Sequence, residues 1–118
     1  MYTFEAVQTM LDVLIADLPP AIFKDLNCGV ALTRETPVDE DGFLILGEYH
    51  HQPHGLGRYV NIHYGAMMEA CGDWPEAEFF AELKETLHHE LTHHLEDLAG
   101  DDTLGLLDDL EREAFLDT

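Results

Sequence analysis

From Glu76 to Ala99 no glycine or proline interrupts the chain, and an unbroken run of that length predicts a single helix of about seven turns. Gly72-Asp73-Trp74-Pro75 places an Asp and a Pro where such a helix begins, and Gly100-Asp101-Asp102-Thr103 a turn where it ends. Leu83, Leu87, Leu91, Leu95 and Leu98 form an apolar stripe along it. Measured from Leu87, His89 and His93 fall at about 200° and 240° around the helix. The stripe therefore faces a core, and the two histidines face away from it.

His89-Glu90-Leu91-Thr92-His93 is a His-Glu-x-x-His pattern. On a helix, residues four apart share a face one turn apart, so two imidazoles reach a single Zn²⁺ without distorting the backbone. Glu90 projects roughly 100° round from His89, within reach of a proton on a zinc-bound water but turned away from ligation. Catalytic zinc sites use three protein ligands, and the third must come from beyond Gly100. A last helix from about Leu104 to Phe115, folded back on the long one, brings residues near 110 to 113 level with the histidines. Glu111 and Glu113 are candidates, with Asp108 and Asp109 about one turn away. Glu113 is favoured, because Asp117 one turn later is placed to accept a hydrogen bond from the outer nitrogen of a ligating histidine. One zinc ion per chain is expected.

The remainder of the chain reads as strands and a first helix. Phe4, Val7, Met10, Leu11, Leu14, Ile15 and Leu18 recur at helical spacing from Thr3 to Leu18, and Pro19-Pro20 ends that run. A short helical turn at Ala21 to Leu26 leads to a strand at Cys28 to Thr33. Phe43 to Tyr49 and Arg58 to Tyr64 are rich in β-branched and aromatic residues and read as two more strands. A short helix follows at Ala66 to Ala70. The pattern predicts an α+β domain in which a mixed sheet of about three to four strands packs on the first helix and the long one. His50-His51-Gln52-Pro53-His54 lies between the strands; a solvated connection is favoured over a second metal site, since Pro53 and Gly55 break regular ligand spacing.

With 118 residues, 46 % of them apolar, residues 1–118 suit one domain and one core. The net charge of −20 repels phosphate backbones and anionic membrane surfaces, which excludes nucleic acid and membranes as expected partners. Cys28 and Cys71 do not make a disulfide framework and are expected as reduced thiols. The first twenty residues have no basic start and carry Glu5, Asp12 and Asp17, so they read as neither signal peptide nor membrane span. A cytoplasmic location is the expectation.

His89-Glu90-Leu91-Thr92-His93 followed by Glu113-Ala114-Phe115-Leu116-Asp117 resembles the gluzincin pattern of thermolysin-like peptidases, in which a Glu-x-x-x-Asp helix supplies the third ligand and an outer carboxylate. The chain as a whole is similar to the small bacterial minimal zincins, the zincin-like metallopeptidase family. That resemblance runs through the opening helix ending in Leu-Pro, Leu46-Gly47-Glu48-Tyr49, Gly55-Leu56-Gly57-Arg58, Ile62-His63-Tyr64-Gly65 and the His-Glu-x-x-His-His helix. Many members follow the motif with Phe-Gly and an Asp three residues on, where this chain has Leu95-Glu96 and then Ala99. The family's third ligand is therefore not carried over by counting, and Glu113 and Asp108 both stand. The resemblance implies a zincin-like domain and a strand along the cleft that pairs with extended substrate. Tyr59 to Tyr64 is the candidate for that edge strand, with an interior strand as the alternative, and His63 or Tyr64 is a candidate to steady an oxyanion.

The resulting expectation is a zinc metallopeptidase with His89, His93 and Glu113 as ligands and Glu90 as general base. A chain of this size makes a shallow cleft, so short or unfolded peptides, neutral or basic, are the expected substrates. Two other readings compete with it: a non-enzymatic acidic binding module, and a pseudo-enzyme whose structural metal is closed by four ligands, with Glu96 and Asp97 available.

Overall fold

The computed structural model describes residues 1–101 apart from Leu56. Helix α1 (Phe4–Ala16) and a 3₁₀ turn (Pro20–Phe23) precede strand β1 (Val30–Thr33), strands β2 (Gly47–Gln52) and β3 (Gly57–His63), helix α2 (Tyr64–Cys71) and helix α3 (Glu76–Asp101). The architecture is α+β, as the sequence predicts. None of the described helices is long and apolar enough to cross a membrane.

Thr3 starts α1 by accepting the Ala6 amide on its Oγ1 at 3.0 Å, which satisfies one of the amides that a helix start leaves free. Val7, Leu11 and Leu14 then face the core, and Leu18 joins them just past the helix end. In α3 the stripe Leu83, Leu87, Leu91 and Leu95 is fully buried. That single stripe packs on the sheet and on α1.

The three strands order as β1-β3-β2, with β1 parallel and β2 antiparallel to β3. Val60 and Ile62 of β3 enter the core. β3 is thus the central strand, and the interior reading of Tyr59 to Tyr64 replaces the edge reading. The edge beside α3 belongs to β2.

β1 starts at Val30 and not Cys28, Tyr64 opens α2 and does not end β3, and three further boundaries differ from the sequence reading. The second strand starts at Gly47, not Phe43, because Phe43–Ile45 fold back on residues 37–39: Asp39 N donates to Phe43 O and Ile45 N to Pro37 O, each at 2.9 Å. Asp39 Oδ1 closes that turn by accepting from the amides of Asp41 and Phe43. At the other end β2 runs on through His50, His51 and Gln52, whose register with β3 continues to Gly57; His50 and His51 are strand residues, and of the three histidines only His54 lies in the turn. Finally, α3 passes through Gly100, which does not adopt the left-handed conformation of a terminating glycine. The proposed last helix, with Asp108, Asp109, Glu111, Glu113 and Asp117, lies outside the described residues.

Candidate functional site

α3 carries His89 and His93 on its exposed side, one turn apart, with their Nε2 atoms 3.2 Å from each other. The rings stand nearly perpendicular, 87° between planes and 4.7 Å between centroids. Nδ1 of His93 faces the Glu96 carboxylate at 3.3 Å. With its proton placed there, His93 presents the Nε2 lone pair toward His89. Glu96 thus faces the outer nitrogen of His93, a contact the sequence reading did not name; its i+3 spacing on the helix was the available signal.

Glu90 sits on the other flank of the same turn, buried against β2. Gly47 makes this possible: a Cβ there would stand 2.9 Å from Cγ2 of Thr86 and 3.2 Å from Cγ of Glu90. Burial pushes the Glu90 carboxyl above its ordinary range, and the neighbouring His89 and His93 oppose that shift. Two hollows flank it. One, of about 760 Å³, runs toward the C-terminal end of α3 past His93 and Asp97; the other, of about 380 Å³, runs toward its N-terminal end past His89 and Glu85. Gly47 and Glu90 border both.

Asp97 joins the sheet to α3. Its Oδ2 accepts from Tyr49 OH at 2.6 Å and Arg58 Nε at 3.0 Å, and lies 2.9 Å from His51 Nδ1. Burial raises the Asp97 carboxyl, but the bonds from Tyr49 and Arg58 and the charges of His51 and Arg58 outweigh it and hold the group below its ordinary value. The same surroundings push the Tyr49 phenol well up, chiefly through burial and then through the Asp97 carboxylate. His94, fully buried behind this group, donates from Nε2 to the Lys24 carbonyl at 2.9 Å, and burial lowers its basicity. None of this network was anticipated from sequence, because Tyr49, Arg58 and Asp97 meet only when β2, β3 and α3 pack.

Strand alternation sends Glu48 and His50 to the opposite face of β2 from Tyr49 and His51. His50 stacks on Tyr59, and Glu48 accepts from Nε2 of His63 at 2.8 Å. Thr33 completes the bonding of His63 at Nδ1, 2.7 Å away. His63 is 1 % exposed and spoken for on both nitrogens. The Tyr64 hydroxyl donates to the carbonyl of Tyr2 at 2.5 Å. Neither candidate for steadying an oxyanion is therefore directed at the histidine pair. No group of three His, Cys, Asp or Glu side chains is gathered to hold a metal ion among the described residues; His89 and His93 form two donors of such a set, while Glu96 and Asp97 are engaged as above.

No family model matches the chain, and no curated protein does. Among solved structures, a conserved hypothetical protein from Thermo thermophilus is similar to it, with a TM-score of 0.72 and 34% sequence identity over 85% of this chain and 100% of that one. The chain belongs to the family of that protein. The two proteins share this fold.

Proposed function

We propose that this protein is a zinc-dependent metallopeptidase of the minimal-zincin kind, in which His89 and His93 are ligands and Glu90 is the general base. The observation that carries the reading is the 3.2 Å between the two Nε2 atoms. Two nitrogens at about 2.0–2.1 Å from a tetrahedral zinc stand about 3.3–3.4 Å apart, so the pair fits one ion nearly as it stands. The third ligand comes from the C-terminal residues, with Glu113 favoured and Asp108 and Glu111 as alternatives. When bound, zinc supplies a Lewis acid for a water and for the scissile carbonyl.

The protein's own contribution lies in Glu90. Its burial favours the protonated form, which makes the carboxylate a better base near neutral pH than an exposed glutamate. Glu90 takes a proton from the attacking water and returns it to the leaving nitrogen. β2, the edge strand beside this turn of α3, offers its backbone to an extended peptide. A cleft open along the helix suits short or unfolded peptides, and the net charge of −20 favours neutral or basic ones. Cys28 and Cys71 stand as thiols and not as a disulfide, which supports a reducing, cytoplasmic location.

The test is a pair of variants. Chelator-stripped protein reloads about one zinc per chain; His93→Ala loses tight zinc, and Glu90→Gln keeps zinc but stops cleaving peptides. Full zinc uptake by His93→Ala, or undiminished cleavage by Glu90→Gln, overturns the assignment.

A further inference from the structure

The smaller of the two hollows has a composition of its own. Leu44 and Leu46, from the segment leading into β2, give it apolar sides; Glu82 and Glu85 of α3 close it, and Glu90 forms its inner end. Thr86 also borders it, but its hydroxyl is occupied by the Glu82 carbonyl at 2.9 Å. His89 borders the hollow as well and, with His93, acts on Glu90 through its charge, but among the described residues no hydrogen bond or ion pair falls on the three carboxylates. Glu90 is only 7 % exposed. Since no buried side-chain oxygen among the described residues lacks a partner, the oxygens of Glu90 must open onto the hollows beside it. Three carboxylates thus border one apolar slot, and a cationic head group entering it meets acceptors with no hydrogen bond of their own.

We propose that this hollow is the subsite for a lysine or arginine side chain of the substrate, at a residue adjoining the cleaved bond. The inference rests on the metallopeptidase reading for its place beside the reacting bond. A long basic side chain lays its methylenes along Leu44 and Leu46 and brings its head group to Glu82 and Glu85. An apolar side chain of the same length removes water from those carboxylates and returns nothing. An acidic one meets three like charges. The larger hollow is bordered by Glu48, Glu96 and Asp97 besides Glu90, but each of those three is already engaged: Glu48 by His63, Glu96 by His93, and Asp97 by Tyr49, Arg58 and His51. From Glu82 to Asp97 the cleft follows roughly 22 Å of helix, the span of about six extended residues.

The experiment is binding of blocked hexapeptides Ala-Ala-Ala-X-Ala-Ala, with X as lysine, norleucine or glutamate, to zinc-stripped full-length protein, followed by calorimetry and by amide shifts of residues 82–90. The lysine peptide is expected to bind at least about tenfold tighter than the norleucine peptide, and Glu82→Gln/Glu85→Gln is expected to bring the two together. Glu85→Lys, a single substitution at an exposed position, shifts preference toward the glutamate peptide. Equal binding of lysine and norleucine peptides, a lysine preference that survives the double substitution, or no lysine-peptide binding up to about 10 mM overturns the proposal. Because stripped protein is used, failure of zinc uptake or of hydrolysis counts against the metallopeptidase reading and leaves this preference separately measured.

Discussion

Glu90 packs its Cγ against the bare backbone of Gly47, where a Cβ on the strand would stand 3.2 Å away. That closeness sets the depth at which α3 lies on β2. Gly47→Ala forces either Glu90 or the buried, hydrogen-bonded Thr86 to move. It is expected to destabilise the fold by about 1–3 kcal/mol, read from denaturant midpoints, and to lower kcat for peptide cleavage while zinc content stays at the parent level. Unchanged stability and kcat would show that the approach has slack.

Glu96 tests the geometry of His93. Glu96→Gln replaces the carboxylate facing Nδ1 by an amide that also offers N–H groups, and zinc affinity should fall by about tenfold. Because Glu96 is mostly exposed, stability should change by no more than about 0.5 kcal/mol. Competition with a zinc chelator and a thermal melt separate the two effects.

The third ligand is checked by metal affinity in single variants. Glu113→Ala is expected to lose zinc far more completely than Asp108→Ala or Glu111→Ala, and Asp117→Ala by an intermediate factor of about 10 to 100. Zinc lost in Asp108→Ala and kept in Glu113→Ala would instead assign the minimal-zincin aspartate.

Asp97 predicts a pH dependence of stability. Its folded value lies below the ordinary 3.8, so the folded state binds fewer protons than the unfolded one in the window beneath that value. The stabilisation is complete above the ordinary value and disappears as pH falls through the folded one. Asp97→Asn should therefore be less stable than the parent at neutral pH, by about 1–3 kcal/mol for hydrogen bonds to a charged group. The difference should close on acidification below the ordinary carboxylate range. Thermal melts of both proteins across acid pH measure it, and a gap that does not vary with pH would remove the charge from the explanation.

Much of α3 was legible before folding is considered. A 3.6-residue period is local, so the buried leucines and the outward pair His89 and His93 follow from spacing alone. Strand limits were less legible. Phe43-Leu44-Ile45-Leu46 has every preference of a strand, yet Phe43 bonds to Asp39 and Ile45 to Pro37, and β2 begins at Gly47. Strands are defined by their partners, and propensity does not name the partner.

By itself, then, the sequence determined an α+β chain with a long two-faced helix, a histidine pair on its outer face and Glu90 between them, because each of these depends on residues within a few turns of one another. Tertiary structure alone decided that β3 is central and β2 the edge, that His63 is consumed by Thr33 and Glu48, and that Asp97 gathers Tyr49, Arg58 and His51. Those relations join residues 15 to 48 positions apart. Only the mutual burial of helix and sheet, which excludes water from every candidate partner at once, selects which of them meet.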